Sequence, residues 1–213
     1  MKKVGSILFF IDIHPFSKFF TDKFDMRALK NELFKTKVIK VAVSFLFCLS
    51  FGWGQSSAGD IAFTAYNADG DDDFAFVTLV DITSGSYIWF TDNEWNGTAF
   101  GDLNETELKW TATSNIFAGT VIVCTDVDNS NNGSYGASSG TLTGKLTLNI
   151  SDETLWALSA EPATSYGSTP TFFAGISNDY DGSGNTTPTG IVSGTNLVDF
   201  NNDHDGFEYT GSR

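Results

Sequence analysis

Cationic side chains are scarce beyond the first quarter of this 213-residue chain. Nine of its 12 Lys and Arg lie in residues 1–54. Only Lys109, Lys145 and Arg213 follow, against 22 of the 26 acids, so residues 55–213 carry a formal charge of −19. Gripping a phosphate backbone takes Lys and Arg, which excludes nucleic acid as a partner of this part and disfavours anionic membrane surfaces. Cysteine is equally scarce, with Cys48 and Cys124 the only two. Once a leader containing Cys48 is removed, no disulfide can form within the chain. Cys124 sits in an apolar run (TVIVCT, 120–125) and reads as a small buried hydrophobe. One histidine, His204, remains beyond residue 54, so a His/Cys transition-metal cluster cannot be assembled there. It lies among Asn202, Asp203 and Asp205 and reads as a solvated loop residue. No segment past residue 54 sustains a helical period, which removes the helical fold classes.

What the front of the chain does contain is a leader. Lys35, Lys37 and Lys40 precede an apolar run over 41–51, followed by Gly52-Trp53-Gly54-Gln55. A basic flank, an apolar core of roughly 7–15 residues and small residues before the cut define a secretory signal peptide. Residues 26–54 are therefore expected to form a helical signal peptide, cleaved between Gly54 and Gln55, that delivers the rest outside the cell or to its surface. A membrane span takes about 20 apolar residues, so no span is expected in the mature chain. Phe47, directly before Cys48, is too large for a lipoprotein cleavage site. Residues 1–25 are long and irregular for the front of a leader, which makes Met26 the expected start and 1–25 a spurious extension.

Residues 55–213 fit a single domain able to bury a core without staples. Apolar runs rich in Phe, Val, Ile and Trp occupy 60–66, 74–82, 87–91, 107–113, 119–125, 145–150, 154–159, 171–177 and 196–200. Clusters of Gly, Asn, Asp and Ser separate them. This pattern predicts an all-β fold, an antiparallel β-sandwich of about 8–10 strands. The run 74–82 is apolar on both parities and is expected to be a central strand covered on both faces. The run 145–150 alternates, with Leu146, Leu148 and Ile150 expected inward. The linkers 126–140 and 178–190 are polar and long enough to be functional or mobile.

The densest acidic cluster, Asn67-Ala-Asp69-Gly-Asp71-Asp72-Asp73, lies between the first two runs. Alternate oxygen-bearing residues in a Gly-containing loop can converge on a hard cation. Asn67, Asp69, Asp71 and Asp73 are thus candidate calcium ligands, with Asp126 and Asp128, and Asp179 and Asp181, as secondary candidates. No loop fits an EF-hand, and all three also read as solvated turns. Bound divalent cations would offset the domain's self-repulsion. Asp92 and Glu94 form a second acidic cluster after the third run. The pairs Glu105/Glu107 and Asp152/Glu153 read as solvated strand ends. The stretch around Ser138 (GASSG) lacks the strand before and helix after that a nucleophile elbow needs, and no catalytic residue is assigned. The stretch 140–145 (GTLTGK) fails the phosphate-loop spacing. Among the tryptophans, mostly core by expectation, Trp95 between Glu94 and Asn96-Gly97 is the candidate for an exposed ligand-stacking side chain.

Taken together, the segments GDIAFTAYNADGDDDFAFVTLVDI, YIWFTDNEW, LKWTAT, AGTVI, DETLWAL, PTFFAGI and FEYTG resemble a module of large secreted bacterial proteins. That β-rich module is common in flavobacteria and cyanobacteria and distantly similar to the immunoglobulin-like lamin-tail domain. The resemblance covers about residues 58–213 and implies an Ig-like or lamin-tail-like sandwich, with no catalytic residues to carry over. It also implies continuation beyond Arg213, so a closing strand or further domains are expected there. The reading is a non-catalytic interaction module, secreted or at the cell surface, calcium-stabilised, whose partner is an extracellular protein or glycan. The alternatives are an accessory domain of a secreted hydrolase or nuclease, and a glycan-binding or glycan-active domain.

Overall fold

The computed structural model describes residues 55–101, 103–180, 184–200 and 206–211. The leader, its cleavage point, Met26, Asp181 and His204 lie outside these residues. Among the described residues no helix occurs, and none could therefore cross a membrane.

Among the described residues eleven strands succeed one another. The first five are β1 (Ile61–Asn67), β2 (Asp73–Thr78), β3 (Tyr87–Thr91), β4 (Glu107–Thr111) and β5 (Val121–Thr125). Then come β6 (Gly136–Ala137), β7 (Thr141–Gly144), β8 (Thr154–Leu158), β9 (Phe172–Ser177), β10 (Leu197–Asp199) and β11 (Gly206–Glu208). They form two sheets, in the orders β11-β1-β2-β5-β6 and β10-β9-β8-β3-β4-β7. All pairings are antiparallel except β9 with β10.

The sheets pack through the aromatic side chains that alternation turns inward, since successive residues of a strand face opposite sides. Phe74 meets Phe90 at 4.7 Å between ring centroids, and Phe76 meets Trp110 edge-on at 5.4 Å. Cys124 is fully buried in this core, as its apolar run implied. A second apolar cluster covers the opposite face of the larger sheet. There Trp156 and Leu158 of β8 and Phe172 of β9 pack under Trp95, Phe100 and Ile191 from the loops. Consequently β8 and β9 are buried along their whole length, on both faces. Gly175 of β9 lies flat against Trp156, and a Cβ there would stand 2.6 Å from the indole ring.

Three expectations need correction. The run 74–82 is central in its sheet but ladders only to Thr78. Its outer face is only partly covered, with Val77 half-buried and Leu79 52% exposed. The strands sandwiched on both sides are β8 and β9. The run 145–150 joins no ladder. Leu146 and Leu148 are buried as alternation demands, but their N–H groups go to the Val127 carbonyl and to Asp72 Oδ2, while Thr147 bonds Thr106 Oγ1. Ile150, past the last of these bonds, is 52% exposed. Short β6, β7 and β11 carry too little apolar pattern to stand out in the sequence.

Antiparallel pairing sets the functional geography. The end of β1, the start of β2 and the end of β5 fall at one end of the smaller sheet. The end of β3 and the starts of β4 and β8 fall at one end of the larger. Tyr66 joins these two ends, donating its hydroxyl to the Asn149 carbonyl at 2.6 Å, while Asn149 donates to Glu153 Oε2 at 2.8 Å. Leu148 N–H reaches Asp72 Oδ2 at 2.7 Å. The two sheets thus share one acidic pole.

Candidate cation sites at the acidic pole

The loop 67–73 does not wrap four ligands around one point. Asn67 is its scaffold: its Oδ1 accepts the Asp69 N–H, and its Nδ2 donates to the Asp71 carbonyl at 3.0 Å. This is the short-range side-chain turn that Asn favours. Asp69 points into solvent. Asp73 is engaged, its Oδ1 accepting the Asp126 N–H at 2.9 Å.

Asp71 instead meets the second candidate pair. Phe74 lies opposite Cys124 in the β2–β5 ladder, which brings the residues preceding β2 beside those following β5. Asp126 is 1% exposed, with φ at +55°, and neither carboxylate oxygen receives a directed hydrogen bond. Asp71 and Asp128 are the charges that act on its carboxylate, and Asp128 Oδ1 is likewise buried without a hydrogen-bond partner. Burial, then these two carboxylates, raise the Asp126 pKa, while the Ser134 hydroxyl opposes them. Left-handed backbone is uncommon outside glycine, though Asp tolerates it. A buried carboxylate this short of donors takes up a proton or a cation, because an unpaired buried charge is costly. Of the eight nominated loop residues, then, Asp71 and Asp128 act on Asp126 through their charges, though these three do not draw their carboxylate oxygens as close together as Asp92, Glu105 and Glu153 do. Asp179 lies half-buried on another loop.

Asp72, which alternate spacing skips, is the buried member of its loop. Burial pushes its pKa up to about 6 against the Leu148 hydrogen bond, with Asp128, Asp73 and Asp71 adding to the rise.

A second acidic group is assembled from three strand ends. Asp92 follows β3, Glu105 precedes β4 and Glu153 precedes β8, and carboxylate oxygens of all three lie within 4.8 Å of one another. The registers Thr91 opposite Glu107 and Thr91 opposite Trp156 impose the meeting. Asp92 is 3% and Glu153 5% exposed. Reading Glu105 and Glu153 as solvated strand ends is therefore overturned, because the closing turns fold back over the pole. Burial, then the charges of Glu153 and Glu105, pushes Asp92 up to about 8; burial foremost pushes Glu153 up to about 7. Two like charges 4 Å apart repel by about 4 kcal/mol at an effective dielectric of about 20, so three full charges do not persist here unneutralised.

The surroundings of this trio are ordered. Thr154 N–H and Asn149 Nδ2 bond the two oxygens of Glu153, and its own N–H bonds Asn178 Oδ1 at 2.7 Å. Asn93 bridges Thr91 Oγ1 and the Glu105 N–H. Of the described lysines, Lys109 places its ammonium over the Tyr87 ring at 4.5 Å, and Lys145 lines the groove that Glu105 also lines.

Two other expectations meet the structure here. Trp95 is no exposed platform. It is 1% exposed, packed 4.8 Å from Phe172 and 5.2 Å from Phe100, with its backbone tied to Asn185 and Thr186. Polar neighbours in sequence concealed a turn folded inward. Ser138 accepts the Val123 N–H in a β-hairpin, at 2.9 Å.

Comparison with protein-family models, curated proteins and solved structures finds no match to this chain.

Proposed function

We propose that this chain is a secreted, non-catalytic interaction module whose acidic pole is held together by calcium at Asp71, Asp126 and Asp128. The observation that carries the reading is Asp126: a carboxylate 1% exposed, with two acidic neighbours and only the Ser134 hydroxyl, without a well-directed hydrogen bond, to offset them. An all-oxygen donor set is what a hard, flexible cation such as Ca²⁺ takes, and backbone carbonyls or waters complete its six to eight ligands, roughly. Such an ion would lock the start of β2 to the end of β5 and present the loops around it in one conformation. Loops displayed on a rigid sandwich are the usual place for recognition.

The apolar segment at 41–51 supports delivery outside the cell, where calcium is plentiful. The similarity of 58–213 to a secreted Ig-like or lamin-tail-like module points the same way. The partner is then an extracellular protein or glycan. Calcium titration of the wild type and of Asp126→Asn tests the reading. The variant is expected to lose at least about tenfold in affinity for this ion, since even supporting residues around metals are worth that much. Unchanged binding by Asp126→Asn would remove the site.

A further inference from the structure

The trio at the larger sheet's end is a separate site, built from residues far apart in sequence. Its acids stand on three adjacent strands, β8, β3 and β4, so the sheet itself sets their spacing. Acidic residues often gather without an ion, but Asp92 adds an independent observation. It is 3% exposed, backbone N–H groups of Asp92 and Thr106 reach its carboxylate, and Oδ1 still accepts nothing. The charges acting on it are carboxylates. We infer that Asp92, Glu105 and Glu153 form a second divalent-cation site of the calcium class, distinct from the one at Asp126.

The chemistry and size agree. All three donors are hard oxygens, and lying within 4.8 Å of one another they are close enough to share one calcium ion, whose opposite ligands stand about twice 2.3–2.6 Å apart. Magnesium demands a tighter, near-ideal octahedron and retains its waters, which three prearranged, mostly buried carboxylates suit less well. The Glu153 oxygens are oriented by Thr154 and Asn149, the supporting layer that metal ligands ordinarily have. Glu105, the half-buried member, also lines an open groove of about 390 Å³ together with Trp89, Leu103, Thr106 and Lys145, so the trio is not sealed from solvent. An ion bound at the trio ties β3, β4 and β8 together at one end, much as the Asp126 ion ties β2 to β5.

The test counts ions. Calcium bound to the purified protein is measured by equilibrium dialysis and native mass spectrometry, alongside Asp92→Asn, Glu153→Gln and Asp126→Asn. The expected result is two ions on the wild type. Asp92→Asn and Glu153→Gln each lose one ion, or weaken it at least about tenfold, and keep the other. Asp126→Asn keeps the trio's ion. Should Asp126→Asn bind like wild type while Asp92→Asn loses an ion, the trio stands and the loop site falls. One ion on the wild type, lost in Asp126→Asn and kept in Asp92→Asn, overturns the trio and leaves the loop site standing. If Asp92→Asn fails to fold, Glu105→Gln at a half-buried position carries the same expectation, and wild-type binding by that variant overturns the inference.

Discussion

The acidic pole holds two groups of carboxylates that differ in how they are made. The loop group is written locally: Asp71 and Asp73 in one turn, Asp126 and Asp128 in another, joined by a single pair of strands. The trio comes from positions 92, 105 and 153 and exists only because β8, β3 and β4 lie side by side. The first keeps Asp69 and Asp71 in water and buries Asp72 and Asp126, whereas the second buries Asp92 and Glu153 and leaves Glu105 half-buried. The contrast teaches that acid density in sequence marks turns, while acids directly flanking strands, Asp126 as much as Asp92 and Glu153, mark the place where charge is actually removed from solvent.

The largest effect that would sharpen this comparison comes from the turn that follows Asp92. Trp95→Ala opens a cavity in the second apolar cluster, three residues past Asp92, and should cost about 3–5 kcal/mol. Chemical denaturation reads the loss. Calcium binding at Asp126, which rests on the other core, should persist in the folded fraction, and equal loss at both sites would break the distinction.

Next in size, Asp92→Asn in chelator should stabilise the protein by about 1–3 kcal/mol, because it removes a buried charge that lacks a partner. The same variant should gain less from calcium than wild type does. A destabilised metal-free variant would contradict the account.

A pH dependence follows from the same burial. Asp92 is raised to about 8, Glu153 to about 7 and Asp72 to about 6, all above the ordinary carboxylate range. Between about pH 4 and 8 the folded chain then holds more protons than the unfolded one, so metal-free stability falls as pH rises through that window. Thermal melts in chelator should give a lower Tm at pH 8 than at pH 5, and calcium should narrow the gap by replacing the protons. A higher metal-free Tm at pH 8 would reverse the sign.

The smallest effect is the control. Asp69→Asn changes an exposed residue of the loop and should stay within about 0.5 kcal/mol, with both ions retained. A large change there would return Asp69 to the site.

Much of this was legible in the residues. Alternating and doubly apolar runs announced an all-β chain, and Tyr87–Thr91 begins and ends where the periodicity places it. Acid spacing located the loop, and separately Asp126 and Asp128. That Asp71 would face Asp126 was not legible, because it depends on β2 pairing with β5 rather than on any local pattern. The trio was hidden further. Asp92 abuts YIWFT and Glu153 abuts TLWAL, so each touches a buried strand, but only the register across Thr91 converts that adjacency into contact. Segment 145–150 misled because alternation reports burial, not the identity of the hydrogen-bond partner. Beyond Lys145, whose N–H still reaches the Glu107 carbonyl of β4, its donors found a loop carbonyl, a hydroxyl and Asp72 in place of a ladder.

Calorimetric melts of the purified protein at neutral pH, in calcium and in chelator, test the central claim most directly. One ion at a hundred times its Kd adds about 2.7 kcal/mol. For a domain of this size that predicts a Tm about 5–10 °C higher in calcium. Superimposable melts would contradict a cation-bound pole.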